Sequence, residues 1–337
     1  MADKVRWGII STARIATNAL IPAIQASEKA EVVAIASREQ SKAERIANAL
    51  GIETAYGSYD ELFDDPEVQA VYNPLPNGLH REWTVKAAEK GKHVLCEKPL
   101  ALNVSECQQM IDACREHNVL LMEAFMYRFH PRHARVKEII ASGRIGEVQL
   151  VRTGFSFYLD ESESENIRWG KLGGGALMDV GCYCVNVSRF IFDDEPVAVQ
   201  AAAHISEKFD VDKTLTGILE FPEDRFAAID CSFNTGFRQF YEVVSTQGKI
   251  EVPDPFLPGD GSVPVFITIG ESPRDVDSDQ EIIPGVNQYT LEVDHFSDCI
   301  TTGEPPLIPG EEGLKNMRVI EALDRSAREG RRVTLEE

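Results

Sequence analysis

The sequence has no long apolar run and comparatively little positive charge. A membrane-spanning helix needs about 18 consecutive apolar residues, and no stretch of the 337 residues approaches that length. The chain has 34 Lys and Arg against 55 Asp and Glu, which gives a formal net charge of -21 at pH 7. Such an excess of acid repels nucleic-acid backbones and anionic membranes. We therefore expect no nucleic acid and no membrane as partners.

Paired cysteines and metal-binding motifs are also missing. The seven cysteines are odd in number and scattered, without C-x-x-C spacing, which predicts reduced thiols in a cytoplasmic enzyme. No signal peptide is visible before the first strand pattern. Cys182 and Cys184 would face different sides of a helix, and His130 and His133 have no partner motif such as H-E-x-x-H. We expect no metal.

Strand and helix patterns alternate through the first third of the chain. The apolar strand runs lie at residues 5–10, 31–36, 68–72, 93–96 and 119–123, with helical periodicity between them. This alternation predicts a parallel sheet with right-handed crossovers.

After residue 123 the pattern changes to consecutive strands. Alternating runs between residues 148 and 245 predict an antiparallel sheet, with helices near residues 131, 175–192, 289–301 and 310–329. The predicted fold class is an N-terminal α/β Rossmann domain, residues 1–124, followed by an α+β domain on an open, mainly antiparallel sheet, residues 125–337. An open sheet predicts association, so the second domain is expected to bind substrate and to form a homodimer or homotetramer.

The first strand-to-helix turn is the predicted pyrophosphate site. Its candidate cofactor-binding residues are Ser11, Thr12, Ala13, Arg14 and Ile15. The glycines of G-x-G-x-x-G are replaced by Ser11, Ala13 and Ala16, which permit close backbone approach but lose the tolerance of positive φ. A simple tight turn is the alternative.

The end of the second strand indicates which dinucleotide binds. Ser37 and Arg38 stand where NAD-binding proteins place an acid, and Lys42 follows. A hydroxyl and a guanidinium suit the 2′-phosphate of NADP, so NADP is favoured. NAD stays possible if Glu39 points inward, and Arg38 could also be an ordinary surface residue.

Two polar segments follow the next strands. Residues 73–80, N-P-L-P-N-G-L-H, predict a rigid wall against the nicotinamide end, formed by Pro74, Leu75, Asn77 and His80, with Asn77 as the helix N-cap; a capped connector is the alternative. Glu97-Lys98-Pro99 places an amine at the carboxyl end of a strand, where ligands bind in such sheets. A surface lysine before a turn is the alternative there.

These motifs in this order resemble the glucose–fructose oxidoreductase and inositol dehydrogenase family (Gfo/Idh/MocA). The resemblance covers essentially the whole chain and rests on P-L-P-N-x-x-H, C-E-K-P-L-A and D-x-G-x-Y. The segments W-G-I-I-S-T-A-R-I-A, E-A-F-M-Y-R-F-H-P and L-G-G-G-A-L-M-D-V-G-C-Y-C are most similar to its NADP-dependent D-xylose dehydrogenase and dihydrodiol dehydrogenase branch.

The resemblance implies roles for individual residues. It makes Lys98 the catalytic lysine, places Glu97 beside the nicotinamide and makes Tyr183 the acid/base residue. The residues that fall where relatives line the substrate or cofactor cleft are His80, Arg128, Phe155 and Arg168. Inositol dehydrogenases carry histidine at position 183, which disfavours inositol, and dihydrodiol dehydrogenases carry tryptophan at position 126, which disfavours aromatic diols.

The chemistry of these residues fits hydride transfer. A free phenol has a pKa of about 10, and an ammonium such as that of Lys98 favours its ionised form. Asp179 lies four residues before Tyr183, so both should share one helix face, where Asp179 could orient a sugar hydroxyl or balance Lys98. An exposed helix acid and a core tyrosine are the alternatives.

The predicted activity is an NADP-dependent hydride transfer between a sugar hydroxyl and nicotinamide C4. Aldose C1, as in D-xylose or D-glucose, is the expected reacting carbon. The alternatives are an NADPH-dependent reductase of a keto- or anhydro-sugar, and a catalytically silent NADP-binding regulator. The combination of Lys98, Tyr183 and Asp179 disfavours the regulator.

Overall fold

Parallel strands joined by helices form the first part of the molecule. The computed structural model describes residues 4–163, 166–170, 172–272 and 274–335. Six strands form its first sheet: β1 (Val5–Ile10), β2 (Ala30–Ala36), β3 (Thr54–Tyr56), β4 (Ala70–Asn73), β5 (His93–Glu97) and β6 (Leu121–Ala124). Their order is β3-β2-β1-β4-β5-β6, and all pairs are parallel. The predicted Rossmann sheet is confirmed.

Five helices accompany these strands in the described residues. They are α1 (Ile21–Ala26), α2 (Gln40–Leu50), α3 (Tyr59–Asp64), α4 (His80–Glu89) and α5 (Val104–Glu116). Helices on both faces explain why β1 and β4 are almost wholly apolar and buried. The sequence analysis missed β3 and α3, which have three and six residues and are too short for a clear periodicity.

A second sheet of nine strands follows. They are β7 (Val148–Tyr158), β8 (Ala198–Ile205), β9 (Asp212–Phe221), β10 (Arg225–Ser232), β11 (Asn234–Ser245), β12 (Gly248–Pro253), β13 (Val263–Ser272), β14 (Asp275–Ile283) and β15 (Val333–Thr334). The order is β14-β13-β12-β11-β7-β10-β9-β8-β15. Only β7 and β10 pair in parallel, so the sheet is mainly antiparallel, as predicted.

The remaining helices are α6 (Pro131–Ala141), α7 (Cys182–Phe192), α8 (Gln288–Thr302) and α9 (Gly310–Glu329). A π-turn, Leu177–Gly181, leads directly into α7, so the predicted helix over residues 175–192 is irregular at its start. α7 packs against β7 and β10. Gly181 permits this contact, because a Cβ there would lie 2.8 Å from the sulfur of Cys231.

The chain divides into two compact units. The first contains Met1–Met126 and Asn287–Leu314, and the second contains Tyr127–Val286 and Lys315–Glu337. The sequence analysis had assigned everything after residue 124 to the second domain, whereas α8 packs within the first unit. There Trp7 Nε1 donates a hydrogen bond to Ser297 Oγ at 3.3 Å. Among the described residues, no helix is long and apolar enough to cross a membrane.

Candidate active site

The turn after β1 is accessible and has unusual backbone geometry. Ser11 has a φ of 149°, in the region that favours glycine. This corrects the expectation that the turn had lost positive φ. Ser11 Oγ accepts a hydrogen bond from the Ala13 N–H at 3.1 Å. Thr12, Ala13 and Ile15 are partly exposed and Arg14 is exposed, so a ligand can reach this backbone.

The residues that follow β2 differ in burial and in charge. Ser37 is buried, and its Oγ accepts a hydrogen bond from the Glu39 N–H at 3.4 Å. Arg38, Glu39 and Lys42 are all exposed. Two exposed cations and one exposed acid therefore follow the buried hydroxyl of Ser37.

Tyr59 joins these residues to the first turn, and the sequence analysis did not identify it. Burial raises the pKa of the Tyr59 hydroxyl, while the charge of Arg38 and a hydrogen bond with Ser11 oppose that rise. The residue lies beyond β3, the short strand that sequence periodicity did not reveal.

His80 connects two loops of the first unit. It is fully buried, with Nε2 at 2.7 Å from the Leu75 carbonyl oxygen and Nδ1 at 3.0 Å from that of Pro99. These two carbonyls and that of Leu100, at 3.3 Å from Nδ1, would favour the imidazolium, but burial outweighs them and lowers the pKa of His80 to about 4. His80 thus holds the loop after β4 against the segment after β5, with no exposed surface for a ligand.

The other three residues predicted for this wall differ in their exposure to solvent. Pro74 and Leu75 are buried, whereas Asn77 is partly exposed. Asn77 begins a 3₁₀ turn, Asn77–Leu79, whose N-cap is Pro76, and α4 has Leu79 as its N-cap without a side-chain bond. The predicted capping role of Asn77 is wrong, because the intervening 3₁₀ turn separates it from α4.

Two carboxylates accept hydrogen bonds from backbone N–H groups at and just after Lys98. Glu97 Oε1 accepts a hydrogen bond from the Tyr72 hydroxyl at 2.5 Å, and Glu97 Oε2 accepts one from the Lys98 N–H at 3.3 Å. The Leu100 N–H donates to Glu123 Oε1 at 2.8 Å. Lys98 and Glu97 are partly exposed, and the Lys98–Pro99 peptide is cis. The backbone at and just after the lysine is thus held by two carboxylates.

Glu292 of α8 is a second acid in this region that the sequence analysis missed. It is fully buried, and burial together with the charge of Glu97 raises the pKa of its carboxyl well above the usual range. Burial and the charge of Glu97 thus both favour the protonated carboxyl of Glu292. No local motif marks it, because it is distant from Glu97 in the chain.

In the second unit, Asp179 forms an ion pair. Its Oδ2 accepts a hydrogen bond from Arg168 Nε at 2.5 Å, and the Arg168 guanidinium lies 5.3 Å from the centre of the Phe157 ring. The Asp179 side chain is 19% exposed and that of Arg168 is 40% exposed. The two candidates predicted separately from the sequence thus form one partly exposed, charge-balanced group.

Tyr183 lies among aromatic rings. Its ring centroid is 5.5 Å from Phe155, 5.9 Å from Tyr127 and 5.0 Å from Phe256. Tyr183 and Phe155 are almost fully buried. Phe155 was predicted, but Tyr127 and Phe256 were not.

The guanidinium of Arg128 stacks on a further ring, 4.0 Å from the centre of Phe190. A substrate-binding role for Arg128 remains a prediction.

The described residues contain no cluster of three or more metal-ligating side chains. Cys182 and Cys184 are buried free thiols. His130 caps α6 through its Nδ1 at 3.2 Å from the Arg132 N–H, and His133 bonds to Tyr241 and Pro255. Both histidines therefore have structural partners in the fold.

Two family models match the chain. Residues 5–125 match the oxidoreductase family GFO_IDH_MocA, described as an NAD-binding Rossmann fold. Residues 133–251 match the GFO/IDH/MocA C-terminal domain.

Individual proteins are similar over nearly the full length. A D-xylose 1-dehydrogenase (NADP(+)) of Haloferax volcanii is 41% identical over 98% of this chain and 99% of its own. A trans-1,2-dihydrobenzene-1,2-diol dehydrogenase of Xenopus laevis is 34% identical over 91% of this chain and 93% of its own. The crystal structure of an aldose-aldose oxidoreductase from Caulobacter crescentus, complexed with glycerol, superposes with a TM-score of 0.90 at 30% identity, covering 99% of this chain and 100% of that one. These matches agree with the branch that the motifs indicated, and the chain belongs to the Gfo/Idh/MocA family of oxidoreductases.

Proposed function

We propose that this protein is an NADP-dependent sugar dehydrogenase that oxidises an aldose at C1. The observation that carries the proposal is the full-length similarity to an NADP-dependent D-xylose 1-dehydrogenase, combined with Lys98, Asp179 and Tyr183 in this chain. Residues 1–124 would hold the dinucleotide, and the second domain would hold the sugar.

The residues of the first unit fit NADP. The backbone of residues 11–15 is accessible for a pyrophosphate, and the glycine-like φ of Ser11 preserves the shape of that turn. Exposed Arg38 and Lys42 next to the buried Ser37 suit a 2′-phosphate. When bound, the nicotinamide would accept the hydride from C1 of the sugar.

Proton transfer would be the task of protein side chains. As the C1–H bond breaks and the hydride leaves, the C1 hydroxyl must lose its proton to form the lactone carbonyl. Tyr183 would take that proton as general base, with the ammonium of Lys98 favouring the ionised phenol. The Asp179 carboxylate, fixed by Arg168 at 2.5 Å, would accept hydrogen bonds from sugar hydroxyls.

The nine-stranded sheet would provide the surface for a homodimer or homotetramer. Large apolar side chains remain exposed on several of its strands, among them Ile218 of β9, Phe226 of β10 and Phe266 of β13, at 49%, 41% and 37%. Apolar patches of this kind usually mark protein interfaces. Sedimentation equilibrium would test the association. The free thiols of all seven cysteines suit a cytoplasmic location.

An absorbance assay of reduced nicotinamide tests the activity. The protein is incubated with NADP or NAD and a panel of aldoses, polyols and dihydrodiols. We expect turnover with NADP and D-xylose or D-glucose, and a much lower rate with NAD. Oxidation of NADPH by keto- or anhydro-sugars alone would indicate the reductase instead. NADP binding without turnover in either direction would favour the silent regulator.

A further inference from the structure

The loop after β12 is held by a buried arginine. Arg132 Nη1 donates a hydrogen bond to the Pro253 carbonyl at 2.8 Å, and Nη2 donates to the Asp254 carbonyl at 2.5 Å. Arg132 is fully buried, and Asp254 has a φ of 45°, which non-glycine residues seldom adopt. The rigid guanidinium fork thus spans two successive carbonyl groups of an unusual turn.

Two more buried side chains hold the rest of this loop. Burial lowers the pKa of His133 well below its usual value, so its ring is neutral. Its Nε2–H then donates to the Pro255 carbonyl at 3.2 Å, while Nδ1 accepts from the Tyr241 hydroxyl at 3.0 Å. Gln239 Oε1 accepts hydrogen bonds from the N–H groups of residues 256 and 257, at 3.0 and 2.9 Å.

The side chain that this loop presents is Phe256. Its ring stacks on Phe155 at a centroid distance of 5.2 Å and an interplanar angle of 15°, and it lies 5.0 Å from Tyr183. Tyr127 meets it edge-on at 5.3 Å. Phe256 is fully buried, so any effect that it has on a substrate passes through Tyr183 or Phe155.

We infer that Arg132, His133 and Gln239 are positioning residues for Tyr183. They fix the backbone of residues 253–257, the loop fixes the ring of Phe256, and that ring fixes the direction of the phenol. The inference rests on the proposed acid/base function of Tyr183. Burying polar and charged groups to bond one short loop costs desolvation energy, and a misplacement of 1 Å at a reacting group reduces turnover by about 100-fold.

Steady-state kinetics of Phe256→Leu and Arg132→Lys test this inference. We expect kcat to fall about 10- to 100-fold in Phe256→Leu, with the KM for the sugar and the Kd for NADP changed less than about threefold. Arg132→Lys keeps the charge but cannot span both carbonyls, so it should lose less than Arg132→Met. Phe221→Leu is the matched control, because this buried ring of β9 packs on Phe192; its kcat should equal that of the parent protein.

A double-mutant cycle separates the inference from the proposed function. If Phe256 acts through the phenol, Phe256→Leu should cause no further loss in the Tyr183→Phe background. An unchanged kcat in folded Phe256→Leu and Arg132→Lys, or a full further loss in that background, would overturn the inference. Normal turnover of Tyr183→Phe would overturn the proposed function instead. Should Phe256→Leu fail to fold, Arg132→Lys gives the same comparison with a milder change.

Discussion

The backbone around Lys98 and the ring of Tyr183 are fixed by different kinds of contact. In the first unit, polar side chains bond the backbone just after the lysine: His80 meets the Pro99 carbonyl and Glu123 accepts from the Leu100 N–H. In the second unit, the ring of Tyr183 is enclosed by other rings. A lysine amine on a long flexible stem gains little from packing, so its backbone is fixed; a rigid phenol is directed by the surfaces against its ring.

The two regions also differ in how far apart their parts lie in the sequence. His80, Lys98 and Glu123 lie within the continuous run of elements α4-β5-α5-β6, so their proximity follows from the parallel sheet. Tyr183 depends on Tyr127, Phe155 and Phe256, which come from three separate elements. Substitutions close to Lys98 in the sequence should therefore alter the backbone around Lys98. The position of the Tyr183 ring should also change with substitutions at residues far from Tyr183 in the sequence.

The largest expected effect comes from removing the two reactive groups. Lys98→Met and Tyr183→Phe should each lower kcat by about 1,000-fold, because each removes a group that handles a proton or its charge. The Kd for NADP, measured by fluorescence titration, should change only slightly. Tyr158→Phe is the control, since this β7 tyrosine is 66% exposed. Parent-level turnover in either active-site variant would contradict the mechanism.

The next largest expected effect is a change in the free energy of unfolding with pH, caused by the titration of His80. Its pKa is about 4 in the folded state, against about 6.5 in an unfolded chain. The unfolded state therefore binds the proton first, and stability is lost as pH falls from about 6.5 to 4, by about 3 kcal/mol. His80→Gln cannot titrate, so the difference in unfolding free energy between parent and variant should shrink by that amount.

Urea unfolding at a series of pH values measures this difference. The other buried histidines are present in both proteins, so their contributions cancel. A difference that stays constant between pH 7 and pH 4 would mean that the carbonyl partners offset burial and leave the pKa of His80 near its usual value. A difference that grows as the pH falls would mean that these carbonyls hold His80 as an imidazolium.

The sequence predicted most of the first region and only part of the second. Regular alternation revealed the parallel sheet, and motifs located residues 11–15 and Lys98. The motif containing His80 was found, but the complete burial of this histidine was not predicted, because sequence does not report burial. β14 was missed since residues 275–281 are polar apart from Val276 and largely exposed, which leaves no apolar alternation to detect.

Contacts between distant residues explain the rest. Arg168 and Asp179 were both candidates, yet their ion pair could not be deduced from the sequence, in which they are 11 residues apart. Phe256 lies in the loop after β12, and nothing local distinguishes it from an ordinary turn residue. Its importance follows only from the side chains of α6 and β11 that bond the loop.

A smaller effect is expected at the cofactor end of the first unit. Arg38→Asp places a negative charge where the 2′-phosphate would bind, so the Kd for NADP should rise about 10- to 100-fold. The Kd for NAD should change less than about threefold. Arg45→Asp on α2 is the matched control, because it makes the same charge change at another exposed position. Equal losses for both dinucleotides would contradict the 2′-phosphate assignment.

The smallest effect concerns Ser11, where backbone geometry and a side-chain bond oppose each other. Its φ of 149° costs energy for any residue with a Cβ, while its hydroxyl accepts the Ala13 N–H. Ser11→Ala keeps the strain and loses the bond, so thermal unfolding should show a loss of about 1 kcal/mol. Ser11→Gly loses the bond but relieves the strain, and its higher unfolded-state entropy offsets only part of that relief. The glycine variant should therefore be more stable than the alanine variant; the reverse order would show that the turn is unstrained and that serine is retained for its hydroxyl alone.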